Sequence, residues 1–288
     1  MGMEEKALFR VDKGKCIGCG HCVSVCTGMV LRMKDGHPEM KPFERFGWSG
    51  CWHCQHCLAV CPTGAVSIFG KRPEDSLPKP TDSISVDMER LVANRRSCRR
   101  FQAKNVDKVT IGRILAAMEN APTGGNAQNV EYTVVDDMET LDKIWEVAYS
   151  QMEDNAARGI YSSGFSLSLY KTMKRSESDL RKDDMLFCGA PHLFIAHQRA
   201  VGRWKSDAIA DCNIASAYFE LLCNAFGLGT IMMSYSASVI QDVPEARKML
   251  GIPEDHYMGL VIGFGYPEIP YYRGVQKERK RKIHLIAK

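Results

Sequence analysis

Eight of the twelve cysteines in this 288-residue chain fall in two runs of identical spacing, C-x2-C-x2-C-x3-C. Cys16, Cys19, Cys22 and Cys26 form the first; Cys51, Cys54, Cys57 and Cys61, followed by Pro62, form the second. Three thiolates in a tight loop grip three iron corners of one cubane, and the fourth, a helical turn further on, points away to ligate another cluster. The spacing therefore predicts two [4Fe–4S] clusters. Cys16, Cys19, Cys22 and Cys61 are assigned to one, and Cys51, Cys54, Cys57 and Cys26 to the other. Structural zinc favours two Cys-x-x-Cys pairs a dozen or more residues apart, which these runs do not match. His21, His53 and His56 lie among the ligands, but the thiolate count is already complete without them. They read as surface groups or as donors to cluster sulfurs. Pro62 ends the turn at the last ligand.

The rest of the composition, 45% hydrophobic and 25% charged with a net charge of +4, leaves room for two globular domains. It makes no case for nucleic acid or a membrane surface as partner. No apolar run approaches the roughly 20 residues of a membrane span. The opening MGMEEKALFRVDKGKC lacks a signal-peptide core, and Glu5 and Lys6 stand where a myristoylation signal wants a hydroxyl. Clustered cysteines in a long chain of this kind suit metal binding in a reducing compartment, so a cytoplasmic protein is expected.

Three zones follow. Residues 1–70 hold both runs, with ALFRV and AVSIF as bracketing strands. Residues 71–86 carry Pro73, Pro78 and Pro80 among charged and hydroxyl residues, a linker composition. Residues 87–288 mix helices and strands, an α+β domain. Ile111, Ile114, Leu115 and Met118 mark one face of a helix. YTVV (132–135), HLFIA (192–196), TIMM (230–233) and GLVIGF (259–264) read as strands. Ala208 to Phe226 is apolar almost all round, a helix buried in a core or between subunits, with Gly227 placed to close it.

Residues 5–70 resemble the bacterial two-cluster ferredoxins. The interval between the runs, TGMVLRMKDGHPEMKPFERFGWSG, is longer than in compact members. It is expected to hold a hairpin at Lys34-Asp35-Gly36 and a loop with Phe43, Phe46 and Trp48 that shields a cluster or docks onto the second domain.

Four segments of the second domain come next: NRRSCRRF (94–101), APTGGNAQN (121–129), AFGLGTIMM (225–233) and GFGYPEIPYYRGVQKERKRK (263–282). Guanidinium forks and a hydroxyl suit an anionic oxygen group. In this order and spacing the segments resemble the nitroreductase family of FMN enzymes. The resemblance implies that Arg95 and Ser97 approach the flavin phosphate and Arg99 the pyrimidine end of the ring; Arg96, in the same basic cluster, is a further cofactor-binding candidate. It places Lys277 and Arg279 near the phosphate, Pro122, Thr123, Gly124 and Asn126 over the flavin of a partner subunit, and Ser234 and Tyr235 beside the ring N5. Relatives often carry an acidic residue at the Ser234 position, and an asparagine that binds the ring in some relatives aligns near Lys182, which is not given that role. Cys98, Cys188, Cys212 and Cys223 read as core thiols. Met232, Met233, Phe165 and Tyr170 are candidates for a substrate pocket or for core.

The resemblance further implies a homodimer with FMN at the subunit interface. The chemistry would occur at FMN N5 without a side-chain nucleophile. Electrons would enter from a ferredoxin or NAD(P)H and leave to a small organic acceptor: a nitroaromatic, quinone, activated alkene (enone) or halogenated aromatic. No strand-borne G-x-G-x-x-G is present for a separate nicotinamide domain. A non-catalytic electron carrier or redox sensor with the same cofactors is the other class of function open at this point. Exposed clusters suggest an anaerobic host.

Overall fold

The structure is a computed structural model that describes residues 2–47, 50–81, 83–161, 184, 186–200, 205–276 and 282–286. Trp48, Phe165, Tyr170, Lys182, Lys277 and Arg279 lie outside the described residues. The chain divides into two compact units: residues 1–81 with 122–129, and residues 82–121 with 130–288.

In the first unit, strand β1 (Arg10–Val11) pairs antiparallel with β4 (Val66–Ser67). Strands β2 (Leu31–Lys34) and β3 (His37–Met40) form a hairpin. Its two-residue turn puts Asp35 at φ 50° and Gly36 at φ 80°, the paired left-handed positions that match the twist of a hairpin. Helix α1 (Met3–Lys6) precedes them, and two one-turn helices, α2 (His21–Ser24) and α3 (His56–Ala59), each contain the third cysteine of a run. Phe43 is buried in the core with Cys22, Cys51 and Cys57, and its ring packs edge-on to Phe46. The His53 ring lies 3.7 Å from that of Phe69. These aromatics close the interior of a unit too small to build a large core otherwise.

The linker composition of 71–86 gives way to structure at both ends: a 3-10 turn at Pro73–Asp75, and helix α4 (Ile84–Asn94), which opens inside that stretch.

The second unit is built on one antiparallel sheet of four strands, in the order β5-β6-β8-β7. These are β5 (Glu131–Val135), β6 (His192–Arg199), β7 (Gly229–Met233) and β8 (His256–Gly265). On the central strand β6, side chains alternate between two cores. Leu193 and Ile195 face α6 (Met138–Ala157), α8 (Ser234–Asp242) and α9 (Pro244–Met249). Phe194 and Ala196 face α5 (Lys108–Met118) and α7 (Lys205–Ala225). Helices therefore cover both faces, which explains why β6 reads as a continuous apolar run. The Phe194 and Phe219 rings stack at 3.9 Å in the centre of the second core. Helix α7 buries Cys212, Ala215, Phe219 and Cys223, while Ile209, Ile214 and Tyr218 are exposed. It closes at Gly227 in the left-handed region, φ 77°. Among the described residues, no helix is long and apolar enough to cross a membrane.

Candidate functional site

The cysteine runs fold into two similar loops because their backbone turns recur at the same offset. Gly18 and His53 are both left-handed, as are Gly20 and Gln55, the residues just before α2 and α3. Those turns aim three thiols of each run inward. One small cavity is lined by Cys16, Cys19, Cys22 and Cys61. A second is lined by Cys51, Cys54, Cys57 and Cys26. Each thus takes three cysteines from one run and the last from the other. Burial pushes the thiols of Cys22 and Cys51 up, and that of Cys57 to about 12. Thiolates at such sites need a cation to offset the lost hydration, which is what iron supplies. Cys61 differs. Burial opposes its ionisation, but the Ala65 backbone N–H at 3.2 Å and the Thr63 hydroxyl hold its thiol below the usual value. Four converging sulfurs per cavity fit an iron–sulfur cluster in number and type.

Within the second unit, three of the four flavin-type segments are stitched together by main chain. Ser97 bridges Thr230 in parallel, and Cys98 N–H donates to Thr230 O at 2.8 Å. Phe101 bridges Pro267, Gln102 N–H donates to Tyr266 O, and Glu268 N–H donates to Arg100 O. Gly229 is required by this approach, since a Cβ there would come within 2.7 Å of Cys98 Cβ. The arginine-rich segment therefore lies along β7 and beside the Gly-Tyr-Pro end of β8.

The individual side chains are placed as follows. Arg95 reaches Glu220 Oε1 at 3.1 Å, a carboxylate on α7 that sequence reasoning missed. A carboxylate set directly among Tyr218, Phe219, Leu221 and Leu222 is the sequence signal for it. Arg96 turns back on the carbonyl oxygens of Ala93 and Arg95 at the end of α4. Arg99 is exposed, and Ser97 half-buried. Ser234 and Tyr235 open α8, so their backbone N–H groups lie in the first turn of a helix, at its positive end. The Tyr235 hydroxyl lies 3.0 Å from Cys188 Sγ. Met233 is fully buried in the core under α6, α8 and α9, and Met232 packs at the edge of the core on the opposite sheet face. The donor set of guanidiniums, hydroxyl and helix-start amides fits an anionic, planar cofactor.

The fourth segment sits elsewhere. Pro122, Thr123, Gly124 and Asn126 belong to the first unit, with the cysteine loops. Gly124–Asn126 is a 3-10 turn, Thr123 Oγ1 accepts from Gln128 N–H at 2.9 Å, and Asn126 Nδ2 donates to Trp52 O at 3.0 Å.

A further missed residue is Asp184, buried between α6 and β6 in sequence. Its carboxylate accepts from Trp145 Nε1 at 2.9 Å and from the backbone N–H groups of Leu186, Phe187 and Gly189. It orders the segment that carries Cys188.

Comparison with known proteins agrees with this geometry. The nitroreductase family matches residues 92–266, and the 4Fe–4S dicluster domain matches residues 15–65. A protein of Archaeoglobus fulgidus, named for NADH dehydrogenase and NAD(P)H nitroreductase, is 25% identical over 68% of this chain and 95% of its own. A nitroreductase structure with bound FMN from Bacteroides fragilis superposes with a TM-score of 0.52 at 19% identity, covering 72% of this chain and all of the other. One from Desulfitobacterium hafniense, also with FMN, gives 0.53 at 22% identity, covering 69% of this chain and 98% of the other. The fold, the joined arginine-rich, β7 and Gly-Tyr-Pro segments and the family match converge: the chain belongs to the nitroreductase family of FMN-dependent oxidoreductases and carries a 4Fe–4S dicluster domain.

Proposed function

We propose that this oxidoreductase holds two [4Fe–4S] clusters and one FMN, and passes electrons from the clusters through FMN to a small organic acceptor of the nitroaromatic, quinone or enone class. The observation that carries the reading is the placement of the 122–129 turn. By resemblance that turn covers a flavin, and it lies in the same compact unit as the cluster loops, bonded to Trp52 between Cys51 and Cys54.

Bound FMN would supply the change between single electrons and a hydride or electron pair, which a one-electron cluster lacks. The chain's own residues bind and orient. Arg95 and Ser97 hold the phosphate, with Glu220 fixing the direction of the Arg95 guanidinium. Arg99 neutralises charge at the ring's pyrimidine end. The first-turn amides of Ser234 and Tyr235 give a donor beside N5. Lys277 and Arg279 complete the phosphate contacts, Pro122, Thr123, Gly124 and Asn126 cover the flavin of the partner subunit, and Arg96 supports the segment by holding the carbonyl oxygens of Ala93 and Arg95.

A homodimer belongs to the same proposal. Helix α4 buries no side chain, yet Ile84, Met88 and Val92 form an exposed stripe at i, i+4 and i+8. Exposed Ile214 and Tyr218 on α7 add a second apolar surface. A second copy of the chain would cover both and bring its flavin turn across. The division into 1–70, 71–86 and 87–288, a cytoplasmic location, and a ferredoxin or NAD(P)H as donor complete the proposal.

Anaerobic stopped-flow reduction tests it. Purified protein should hold about eight irons and one FMN per chain on this ligand count. Reduction by a one-electron donor should show cluster bleaching before flavin bleaching, and a nitro, quinone or enone compound should reoxidise both. Flavin reduction that precedes the clusters, or reoxidation by none of the panel, would refute it.

A further inference from the structure

Apart from the cysteine loops and the flavin-type segments, three potential ligands from neighbouring strands converge at one end of the second unit's sheet. Glu131 opens β5, His197 lies near the end of β6, and His256 opens β8. Glu131 pairs directly with His197, and His256 pairs with Arg199, two residues along. The two-residue period of a strand therefore puts all three on one sheet face. The register shifts between Ile195 and His197, where two steps along β6 oppose three along β8, and an irregularity of this kind re-aims side chains locally. One donor atom from each residue lies within 4.8 Å of the others, and the two Nδ1 atoms are 2.9 Å apart.

The hydrogen bonds around His197 fix its tautomer. Thr133 Oγ1 donates its one proton to Leu250 O at 3.1 Å. In its 3.0 Å contact with His197 Nε2 the hydroxyl must then accept, so Nε2 carries the ring proton. Nδ1 is left with its lone pair, which accepts from His256 Nδ1 at 2.9 Å and becomes a ligand once a cation displaces that proton. A metal-bound imidazole is held in this way, with one nitrogen donating to an oxygen and the other free to ligate. His197 is 2% exposed. Burial first, then the neighbouring His256 and Arg247, hold it below its usual value, so it is neutral near pH 7. The His256 main chain is fixed as well: buried Arg247 donates to His256 O at 2.7 Å and to Ile252 O at 3.3 Å. The Arg247 charge opposes a cation, and the exposed Glu131 carboxylate offsets it and leaves a route of entry.

We propose that Glu131, His197 and His256 form a site for a borderline divalent transition cation such as Zn2+, with Thr133 as the residue that positions His197. Two imidazoles and one carboxylate suit Zn2+, Ni2+ or Cu2+ rather than Mg2+ or Ca2+. Bond lengths of about 2.0–2.2 Å require the Glu131 side chain to move in by roughly an ångström, which its exposure permits. Three protein ligands leave a fourth position for water. The cation ties three adjacent strands together and stabilises the fold by binding only its native form.

The test uses the intact holoprotein and Zn2+ alone as probe. After anaerobic dialysis against buffered Zn2+, elemental analysis should give one zinc per chain with the iron content unchanged. Zinc-edge X-ray absorption should show a nitrogen/oxygen shell with imidazole scattering, and Zn2+ should raise Tm. His256→Ala should abolish uptake. Glu131→Gln, at an exposed position that tolerates change, should weaken it at least tenfold. Thr133→Val should weaken it by about 10–100-fold through lost orientation of His197. A bare histidine pair that takes up no zinc, a sulfur shell, or uptake undiminished in Glu131→Gln would overturn the assignment.

Discussion

Asn126 donates its Nδ2 hydrogen to the carbonyl oxygen of Trp52 across 3.0 Å. Trp52 follows Cys51 directly and precedes Cys54 by two residues, so this bond pins the 122–129 turn to a cluster loop. Asn126 holds a left-handed conformation, φ 53°, that asparagine tolerates better than most residues. Asn126→Asp keeps the shape but opposes a carboxylate to that carbonyl. Losing the bond costs about 1 kcal/mol or somewhat more, so flavin reduction by a one-electron donor should slow about tenfold. Iron content should stay at the wild-type value. Stopped-flow rates that match wild type would show that the turn has no part in electron entry.

Much of this architecture is legible in the sequence, for physical reasons that differ by element. The hairpin at Lys34-Asp35-Gly36 shows because left-handed turn positions restrict residue type. Strands β6 and β8 show because both faces are buried over Leu193–Ala196 and Val261–Phe264, where the chain is an unbroken run of apolar residues and glycine. Helix α6 does not show: its buried Leu141, Ile144, Trp145, Ala148, Tyr149 and Met152 are diluted by a charged face. The cysteine spacing points to the two cavities, since ligand geometry is local to each run. Glu220 and Asp184 are different, because their partners lie 125 and 39 residues away for Arg95 and Trp145. Only tertiary packing brings such pairs together. The grouping of the 122–129 turn with the cysteine loops is likewise invisible in spacing.

Gln55 occupies the left-handed position that Gly20 fills in the other run, at φ 57° against 73°. A side chain there costs of order 1–2 kcal/mol of backbone strain, partly offset by glycine's greater entropy when unfolded. Gln55→Gly should therefore stabilise the first unit by up to about 1 kcal/mol. Thermal melting under anaerobic conditions, with the clusters followed by their visible absorption, measures it. A lower midpoint would mean that the Gln55 side chain makes a contact worth more than the strain.

Asp184 gathers the indole N–H of Trp145 and three backbone N–H groups around one carboxylate that is 4% exposed. Asp184→Ala strands these donors in the interior, at about 1–3 kcal/mol for each one that water cannot reach. The expected loss is about 3 kcal/mol or more, enough to lower Tm of a unit this size by several degrees. Cys188 lies on the same segment, so its reactivity toward a thiol reagent should rise in the variant. Burial holds that thiol above its usual value in the wild type. An unchanged Tm would mean that the four donors find other partners.

Cys61 and Cys26 distinguish exchanged from unexchanged cluster ligation. Cys61 lines the cavity of Cys16, Cys19 and Cys22, and Cys26 that of Cys51, Cys54 and Cys57. Serine is a weaker iron ligand than a thiolate, so Cys61→Ser should cost the cluster held by the first run, and Cys26→Ser the one held by the second. Iron should fall from about eight per chain toward about four in each variant. The surviving EPR signals of the two should differ, because they come from different clusters. The rest of the fold should survive, since the second unit keeps its own two cores. FMN should stay bound in both variants, while its reduction by a one-electron donor slows. If Cys61→Ser instead removed the same signal as Cys54→Ser, a ligand inside the second run, each run would hold its own fourth ligand. The two cavities would then need a different assignment.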